Sequence, residues 1–474
     1  MYSFAAPSSI SGVAYTFSHG GLVLGCLCCI VCTAASAFGA QLLLDVILTC
    51  GRKHNLRMLS DVGAVSLGPV GAACCLTLQM LNFQLYQPIA LLITAEMLQD
   101  TVQPSRTTCT NYFIFSVALF CFFATQLREL RNTSALAGTA LAATTVAAAL
   151  QLGVVHSTLP LPTPSPEPAQ WAGPPAGSDE TGWIEMALAL TPCAWSYVPV
   201  LLVTELAHEM ERPAELRKSI WFSAALNIIG FVGVGLPTAS AWGSSVEDPI
   251  TLSAPWPHGT AAARTFSALL CVANFVGYCL DSVPLARWCQ RRLLPSFKGG
   301  WSGVAIGSYA LCALPPFVVA LVISVFVGQP GGLFTMLAWT TALTVPALNM
   351  VLPAAMALSS GRGATPTWLL GVVGASGDGD GIDTAAATPS APQSLAADSV
   401  ALVEEGAGEQ ALHVTPRQRA ALARVVGCVG VVALVVCLLG AFGKTLNASV
   451  RGPTVIGCVG WEIYHSNGTH FRGW

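Results

Sequence analysis

Three ionisable side chains near the middle of the chain could do chemistry together. Glu205, His208 and Glu209 have the i, i+3, i+4 spacing that places side chains on one face of a helix. Two carboxylates and an imidazole can bind a metal ion or respond to protonation. The Glu-x-x-His metal motif of helical bundles needs a second copy on a neighbouring helix, and no other apolar span carries one. We therefore expect no metal, and either a proton-responsive gate or a solvated cluster of charges at a helix end.

Two apolar segments contain residues that interrupt helices. Residues 7–15 read Pro-Ser-Ser-Ile-Ser-Gly-Val-Ala-Tyr, and residues 191–199 read Thr-Pro-Cys-Ala-Trp-Ser-Tyr-Val-Pro. A proline removes one intrahelical hydrogen bond, so backbone amides and carbonyls are freed at membrane depth. Amides at a helix N-terminus can hold a carboxylate and freed carbonyls can hold an ammonium, which suits a zwitterion. The alternative is that these are ordinary proline kinks, because other apolar segments of the chain contain prolines too.

The first interpretation defines a predicted substrate site for a small amino acid. Amides of residues 11–13 would hold its carboxylate, and carbonyls of residues 196–198 would hold its ammonium. Side chains at matching depth on two further segments complete the prediction. The predicted binding residues are Ser11, Gly12, Val13, Asn82, Tyr86, Ser196, Tyr197, Val198, Asn274 and Tyr278.

Eleven apolar stretches, numbered here as spans 1 to 11, must position these residues. They occupy residues 2–18, 21–48, 64–98, 110–128, 134–156, 183–207, 218–241, 262–285, 303–327, 332–358 and 420–443. A membrane-spanning helix needs about 20 mostly apolar residues. Hydrophobic residues make up 53% of the chain and charged residues only 9%, against about 25% charged in an average soluble domain. The sequence predicts an all-α, multi-pass protein embedded in a lipid bilayer, and it excludes nucleic-acid binding.

The basic residues fix the expected orientation. Sixteen of the 21 lysines and arginines lie on alternate connections, within 52–57, 128–131, 212–218, 287–298 and 362–424. The positive-inside rule places these connections and the N-terminus in the cytosol. Glu205, His208 and Asp281 then lie near the cytosolic ends of spans 6 and 8, where they are candidates for gating or ion coupling. Of the glycosylation sequons, Asn447 and Asn467 fall on the external side, and Asn132 falls on the cytosolic side.

Composition divides the chain into six segments. Spans 1–5 form a first repeat at 1–156, and spans 6–10 form a second repeat at 183–358. A proline-rich external loop at 157–182 separates them, because alternate prolines leave no helix or sheet available. Residues 359–418 have too little apolar content to fold and are predicted to form a disordered cytosolic loop. Span 11 at 419–443 and an external tail at 444–474 complete the chain.

The breaks fall at matching positions in a five-plus-five arrangement, since spans 1 and 6 each begin a half. In secondary transporters, substrates bind near the bilayer midplane between discontinuous helices of two inverted repeats. Residues 12–21 resemble the first-span signature of the amino acid/auxin permease family, and the vesicular inhibitory amino acid transporters are the nearest type. Residues 195–197 resemble the aromatic break of that family, and residues 205–213 resemble its Glu…Met…Pro run. Residues 122–131 and 278–294 resemble its fourth-span and eighth-span exits.

This resemblance implies a LeuT-like fold and secondary active transport of amino acids, coupled to H⁺ or Na⁺, by alternating access around spans 1 and 6. It implies no cofactor beyond the coupling ion. Two residues differ from the family pattern, since Ala14 replaces the usual proline and Pro199 the usual glycine. A transport-inactive receptor or scaffold on the same fold is therefore the alternative. No enzyme motif is present, and a plasma membrane or a vacuolar or other endomembrane is expected.

Overall fold

The computed structural model describes most of the helical part of the chain. The described residues are 2–50, 56, 58–102, 110–124, 134–159, 182–247, 249–293, 303–327, 332–360, 416–450, 461–464 and 470–473. The two predicted inserts fall mostly outside these residues, as does Asn467. Asn447 lies within the last helix, which continues to Val450, beyond the predicted end of span 11.

Each predicted span corresponds to one helix or one interrupted helix. The bounds are Tyr2–Gly20, Leu22–Cys50, Leu59–Val102, Thr110–Ala124, Ser134–Ser157, then Gly182–Trp195 with Val200–Glu209 for span 6, Leu216–Trp242, Ala261–Leu293, Gly303–Val327, then Gly332–Pro346 with Leu352–Ser360 for span 10, and Pro416–Val450. We refer to the two halves of span 6 as helices 6a and 6b. Short 3₁₀ turns at Pro213–Glu215, Gly243–Ser245 and Ile250–Leu252 lie in the connections on either side of span 7.

Among the described residues, eight of these helices are long and apolar enough to cross a membrane. Spans 4 and 9 contain shorter apolar helices, Thr110–Phe123 and Tyr309–Ser324. The large apolar side chains exposed on span 4, such as Phe115, Leu119 and Phe123, have the character of a lipid-facing surface. The protein is therefore an integral, multi-pass membrane protein, as predicted.

Two departures from straight helices depend on glycine. Gly21 alone connects spans 1 and 2, with φ of 87°, and Gly68 bends the start of span 3, with φ of 85°. Both values lie in the left-handed region that glycine adopts without steric cost. Pro69 follows the second bend, where its missing N–H costs nothing at the start of a helix.

Helix contacts recur between the two halves of the chain. Span 1 contacts span 5 as span 6 contacts span 10, and span 3 contacts span 4 as span 8 contacts span 9. Across the halves, span 1 contacts span 7 as span 6 contacts span 2, and span 3 packs against span 8. Because each half contains five spans, the second starts on the opposite side of the membrane. The matching pairs are those expected for an inverted repeat of five helices, and the predicted all-α, multi-pass fold class is confirmed.

Span 10 contains a π-helical segment, Ala347–Val351, that replaces regular helix at its centre. Gly39 of span 2 lies against this segment so closely that an added Cβ would be 1.9 Å from the Asn349 carbonyl oxygen. Gly430 of span 11 lies on another side, where a Cβ would be 2.6 Å from the Met350 Cβ. The tail adds a two-stranded antiparallel ladder, Trp461–Tyr464 with His470–Gly473, and the other elements among the described residues are helical.

Candidate functional site

Span 6 is interrupted at residues 196–199, as the sequence predicts. Helix 6a ends at Trp195 and helix 6b starts at Val200. Pro199 explains the position of the break, because it offers no N–H to the Trp195 carbonyl and disfavours helical conformation at Val198. The interruption is buried, since Val198 and its neighbours are shielded from solvent.

Hydrogen bonds close the break on both sides but not within it. The Ser196 N–H donates to the Pro192 carbonyl at 2.8 Å, and the Leu202 N–H donates to the Pro199 carbonyl at 3.1 Å. The peptide groups of residues 197 and 198 belong to neither half-helix. Polar backbone at membrane depth is tolerated where it is buried in protein or lines a cavity.

Span 1 differs from the prediction. Residues 11–13 lie inside the continuous helix Tyr2–Gly20, so their N–H groups are engaged in helical hydrogen bonds. The expected break near Gly12, with the amides of Ser11, Gly12 and Val13 presented to a carboxylate, is therefore wrong for this conformation. Ala14 is the physical reason, because it keeps the N–H that the family proline lacks and favours helix. The Val13 side chain instead faces Gly235 of span 7.

Tyr86 on span 3 connects the break to span 8. Its ring stacks on Trp195, the last residue of helix 6a, with centroids 5.3 Å apart and an interplanar angle of 29°. An added Cβ at Gly277 on span 8 would lie 3.5 Å from the Tyr86 hydroxyl. Spans 3, 6 and 8 thus meet beside the break, and Tyr86 lies next to the predicted 196–198 segment.

Span 3 presents further polar groups on the same side. The Asn82 amide nitrogen donates to Thr344 Oγ1 of span 10 at 2.6 Å. The Gln79 amide nitrogen donates to the Leu201 carbonyl, in the first turn of helix 6b, at 3.4 Å. Gln79, Asn82 and Tyr86 have the i, i+3, i+7 spacing of one helix face. Gln79 and Thr344 were not predicted, although the spacing of Gln79 from Asn82 and Tyr86 places it on the same helix face.

Span 8 brings an unsatisfied amide to this region. Asn274 is 1% exposed, and neither its amide nitrogen nor its amide oxygen has a hydrogen-bond partner. Asn274 shares a helix face with Gly277, which adjoins the Tyr86 hydroxyl. A buried amide without a partner costs about 1–3 kcal/mol, so this side chain is suited to a ligand or to water. Tyr278, the other predicted residue on span 8, is also buried.

The side chains of Ser196 and Tyr197 point away from this region. The Tyr197 hydroxyl lies 2.7 Å from the Ile220 carbonyl and 2.6 Å from Ser223 Oγ on span 7. Ser196 Oγ donates to the Cys193 carbonyl at 2.8 Å, within span 6. The Tyr197 contacts anchor the break to span 7. Because both side chains are engaged in these bonds, residues 196 and 197 can offer a ligand only their main chain.

An ion-pair cluster lies at the C-terminal end of span 6, which the positive-inside rule assigns to the cytosol. Arg287 of span 8 contacts Glu205 at 3.1 Å and Glu209 at 2.6 Å, both on helix 6b. Glu205 is 2% exposed, so the pair is largely removed from solvent. The predicted gate candidate Glu205 therefore faces span 8, whereas His208 is exposed. Arg287 was not predicted, because the sequence showed it only as one of the basic residues that orient the protein.

Asp281, the third gate candidate, does not join this cluster. It is 2% exposed, and its Oδ1 has no hydrogen-bond partner. Asp45 of span 2, by contrast, pairs with basic residues, since it contacts Arg217 at 2.6 Å and Arg419 at 3.7 Å. Within the described residues, no group of three His, Cys, Asp or Glu side chains could hold a metal ion.

Comparisons with known proteins bear on these groups. A comparison with curated proteins finds no match. The solved structure of MHP1, a nucleobase-cation-symport-1 family transporter in a closed conformation with bromovinylhydantoin bound, is similar over 95% of this chain and 92% of that chain. The sequence identity is 14% and the TM-score is 0.48. A family model described as transmembrane amino acid transporter protein matches residues 9–361. The match covers spans 1 to 10 and the polar groups around the span 6 break, and the chain belongs to the transmembrane amino acid transporter family.

Proposed function

We propose that this protein is a secondary active transporter that moves a small amino acid by alternating access around the break in span 6. The observation that carries the proposal is the buried interruption at residues 196–199, which begins beside Tyr86. Tyr86 adjoins the face of span 8 that carries the unsatisfied amide of Asn274. A zwitterion needs both donors and acceptors in one place, and a helix that stops and restarts supplies both. The coupling ion would be H⁺ or Na⁺.

The half-helix ends suggest how the zwitterion would be oriented. The N-terminus of helix 6b, at Val200 and Leu201, carries the positive end of a helix dipole and can bind the carboxylate. The carbonyl end of helix 6a, at Trp195, and the peptide groups of residues 196–198 can bind the ammonium. Because the amides of residues 11–13 are engaged in helix, span 1 would contribute packing at Ser11 and Gly12 rather than main-chain donors.

Two sets of contacts would alternate during transport. On the cytosolic side, Arg287 ties helix 6b to span 8 through Glu205 and Glu209. On the external side, Ser18 Oγ donates to the Gly243 carbonyl, and His19 Nε2 lies 3.1 Å from the Val246 carbonyl. Opening toward one side requires that the contacts on that side separate while the others hold.

Uptake into proteoliposomes tests the proposal. The purified protein would be reconstituted and supplied in turn with each of the twenty radiolabelled amino acids, with imposed H⁺ or Na⁺ gradients. We expect accumulation of at least one amino acid that collapses when the driving gradient is dissipated. Empty liposomes and the protein carrying Tyr86→Ala, which removes the aromatic partner of Trp195, serve as controls.

The continuous helix of span 1 favours one alternative, a receptor or scaffold that binds an amino acid without moving it. Transporters with inverted repeats typically use a pair of discontinuous helices at matching positions. Of spans 1 and 6, which begin the two halves, the described residues show only span 6 interrupted. Ligand-dependent thermal stabilisation in detergent without flux in proteoliposomes would support the receptor. Flux driven by a gradient would exclude it.

A further inference from the structure

Asp281 is a buried carboxyl group on span 8. Among the described residues, no basic side chain forms an ion pair with it, and Arg287 on the same helix binds Glu205 and Glu209 instead. An isolated ionised carboxylate inside a membrane protein is far more costly than the neutral acid. We propose that Asp281 carries the coupling proton of the transport cycle, and that the conformation described here holds it as a neutral carboxylic acid. This inference rests on the proposed transport function.

The position of Asp281 links a proton there to the substrate site. Asn274, Gly277 and Asp281 have the i, i+3, i+7 spacing of one helix face. Gly277 adjoins the Tyr86 hydroxyl, and Tyr86 stacks on the end of helix 6a. Asp281 therefore lies one helical turn, about 6 Å, to the cytosolic side of that contact. A negative charge created there would be felt at the break.

The same geometry favours a proton over a metal cation. A hard cation needs several oxygen ligands within about 2.5 Å. The unpartnered oxygens on this face belong to Asp281 and Asn274, which are separated by about 10 Å along the helix axis. Ser282, the adjacent hydroxyl, already donates to the Cys279 carbonyl at 2.8 Å. One proton needs only the carboxylate itself.

The titratable groups on the helices packed against span 8 offer no competing cation. Span 3 contributes Tyr86, span 4 contributes Cys121, and span 9 contributes Tyr309, which lies in a cluster with Ala286. Span 5 presents alanines to this helix, and its described histidine, His156, is at the external end. Span 1 contributes Tyr15 and His19 near its external end. The tyrosines and the cysteine carry no positive charge, and the two histidines lie near the external ends of their helices. None of these groups therefore neutralises an ionised Asp281.

Proton release then requires water. When the cytosolic side opens, water reaches Asp281, and the acid transfers its proton to water to give the carboxylate and hydronium. A closed site that holds the substrate is favourable only with the neutral acid, whereas the emptied site can return with its carboxylate hydrated. A new proton is then taken up when the site opens to the external side, so that one proton crosses the membrane with each amino acid and the proton gradient is coupled to transport.

Replacement of Asp281 by asparagine separates this role from substrate binding, because asparagine has nearly the shape of the neutral acid but cannot release a proton. The probe is the radiolabelled amino acid that the wild-type protein accumulates most in the panel above. We expect Asp281→Asn to retain exchange of labelled for unlabelled amino acid. We also expect it to lose at least about tenfold of the uptake driven by a pH gradient. Glu215→Gln, at an exposed cytosolic carboxylate, is the charge-matched control and should behave as wild type.

Two results in that assay would overturn the inference. Full pH-driven accumulation by Asp281→Asn would show that the coupling proton is elsewhere. Loss of exchange and of substrate binding in Asp281→Asn, restored by Asp281→Glu, would show that the carboxylate binds the substrate amine instead.

Infrared spectroscopy tests the protonation state without requiring transport. The difference spectrum between wild type and Asp281→Asn at neutral pH should contain the C=O stretch of a protonated carboxylic acid in the wild type. A carboxylate band in its place refutes the inference, even if the protein transports. A carboxylic acid band in a protein with no flux refutes the transport function but not the neutral state of Asp281.

Discussion

Arg287 is the residue whose replacement should affect the contact between helix 6b and span 8 most, because Glu205 and Glu209 share its guanidinium. In Arg287→Gln, the buried carboxylate of Glu205 would lose the guanidinium that it contacts. Breaking a buried ion pair in this way costs about 3–5 kcal/mol, and the partial exposure of Arg287 and Glu209 places the expected loss at the low end. Thermal unfolding in detergent should show a clear decrease in Tm.

Arg212→Gln provides the matched control for that measurement. Arg212 pairs with Glu215 at 3.5 Å, but the two side chains are 81% and 57% exposed. Exposed pairs contribute about 0–1 kcal/mol, so its Tm should hardly change. Equal effects of the two substitutions would mean that the Arg287 cluster is solvated and does not hold helix 6b.

The residues around the break differ in how readily they could be predicted from the sequence. Asn82 and Tyr86 could be chosen because they lie on span 3 at a depth that matches the break. Arg287 could not be distinguished from other basic residues, because orientation by positive charge explains them all equally well. The pairing of Asn82 with Thr344 depends on the packing of spans 3 and 10, which no local pattern encodes.

Among the elements, helices 6a and 6b depend on Pro199 for their separation. In Pro199→Ala, residue 199 regains an N–H that can bond to the Trp195 carbonyl, so the two half-helices can merge. We expect amino acid uptake to fall at least about tenfold, with expression retained. Pro199→Gly should retain more flux, because glycine continues a helix poorly.

Pro237 supplies the control for this experiment. It lies inside span 7, which remains one helix across it, and it is exposed on the outer surface. Pro237→Ala should leave uptake near the wild-type level. If Pro199→Ala transports as well as Pro237→Ala, the break in span 6 is not the substrate site.

The contact between span 2 and span 10 should be the most sensitive to added volume. A Cβ at Gly39 would lie 1.9 Å from a main-chain oxygen of the π-helical segment, so Gly39→Ala forces backbone to move. Overpacking of this kind costs about 1–3 kcal/mol. Gly233→Ala in span 7, where nothing lies within 4 Å, should be neutral or gain about 1 kcal/mol of helix propensity. Comparison of the two Tm values tests this, and a stable Gly39→Ala contradicts it.

The sequence predicted these elements unevenly. Apolar length located all eleven spans, and proline chemistry located the break in span 6. The same reasoning failed for span 1, because serine and glycine weaken a helix without removing its donors, and no proline stands at position 14. The π-helical segment packs closely against Gly39 and Gly430, and a single helix sequence gives no sign of such contacts.

For the whole molecule, the asymmetry of basic residues predicts the orientation. Sixteen of the 21 lysines and arginines lie on the connections assigned to the cytosol. An epitope tag inserted at Ser390 should be protected from protease in sealed, right-side-out cells or vesicles, whereas a tag at Asn467 should be cleaved. If both tags are cleaved or both are protected, the two positions lie on the same side of the membrane and the predicted orientation is wrong.

Spans 10 and 11 pack directly against each other, in addition to being joined in sequence by segment 361–415. The helix Leu352–Ser360 packs against Pro416–Val450, where Leu42, Ala354 and Ala423 form a shared cluster. The two ends of segment 361–415 are therefore fixed in place by the bundle itself. Since loop closure costs only about 0.6 kcal/mol for each doubling of length, the bundle sets little limit on the length of that segment. The last helix could be supplied as a separate polypeptide, and the protein could accept a fused domain there, without loss of the assembled transporter.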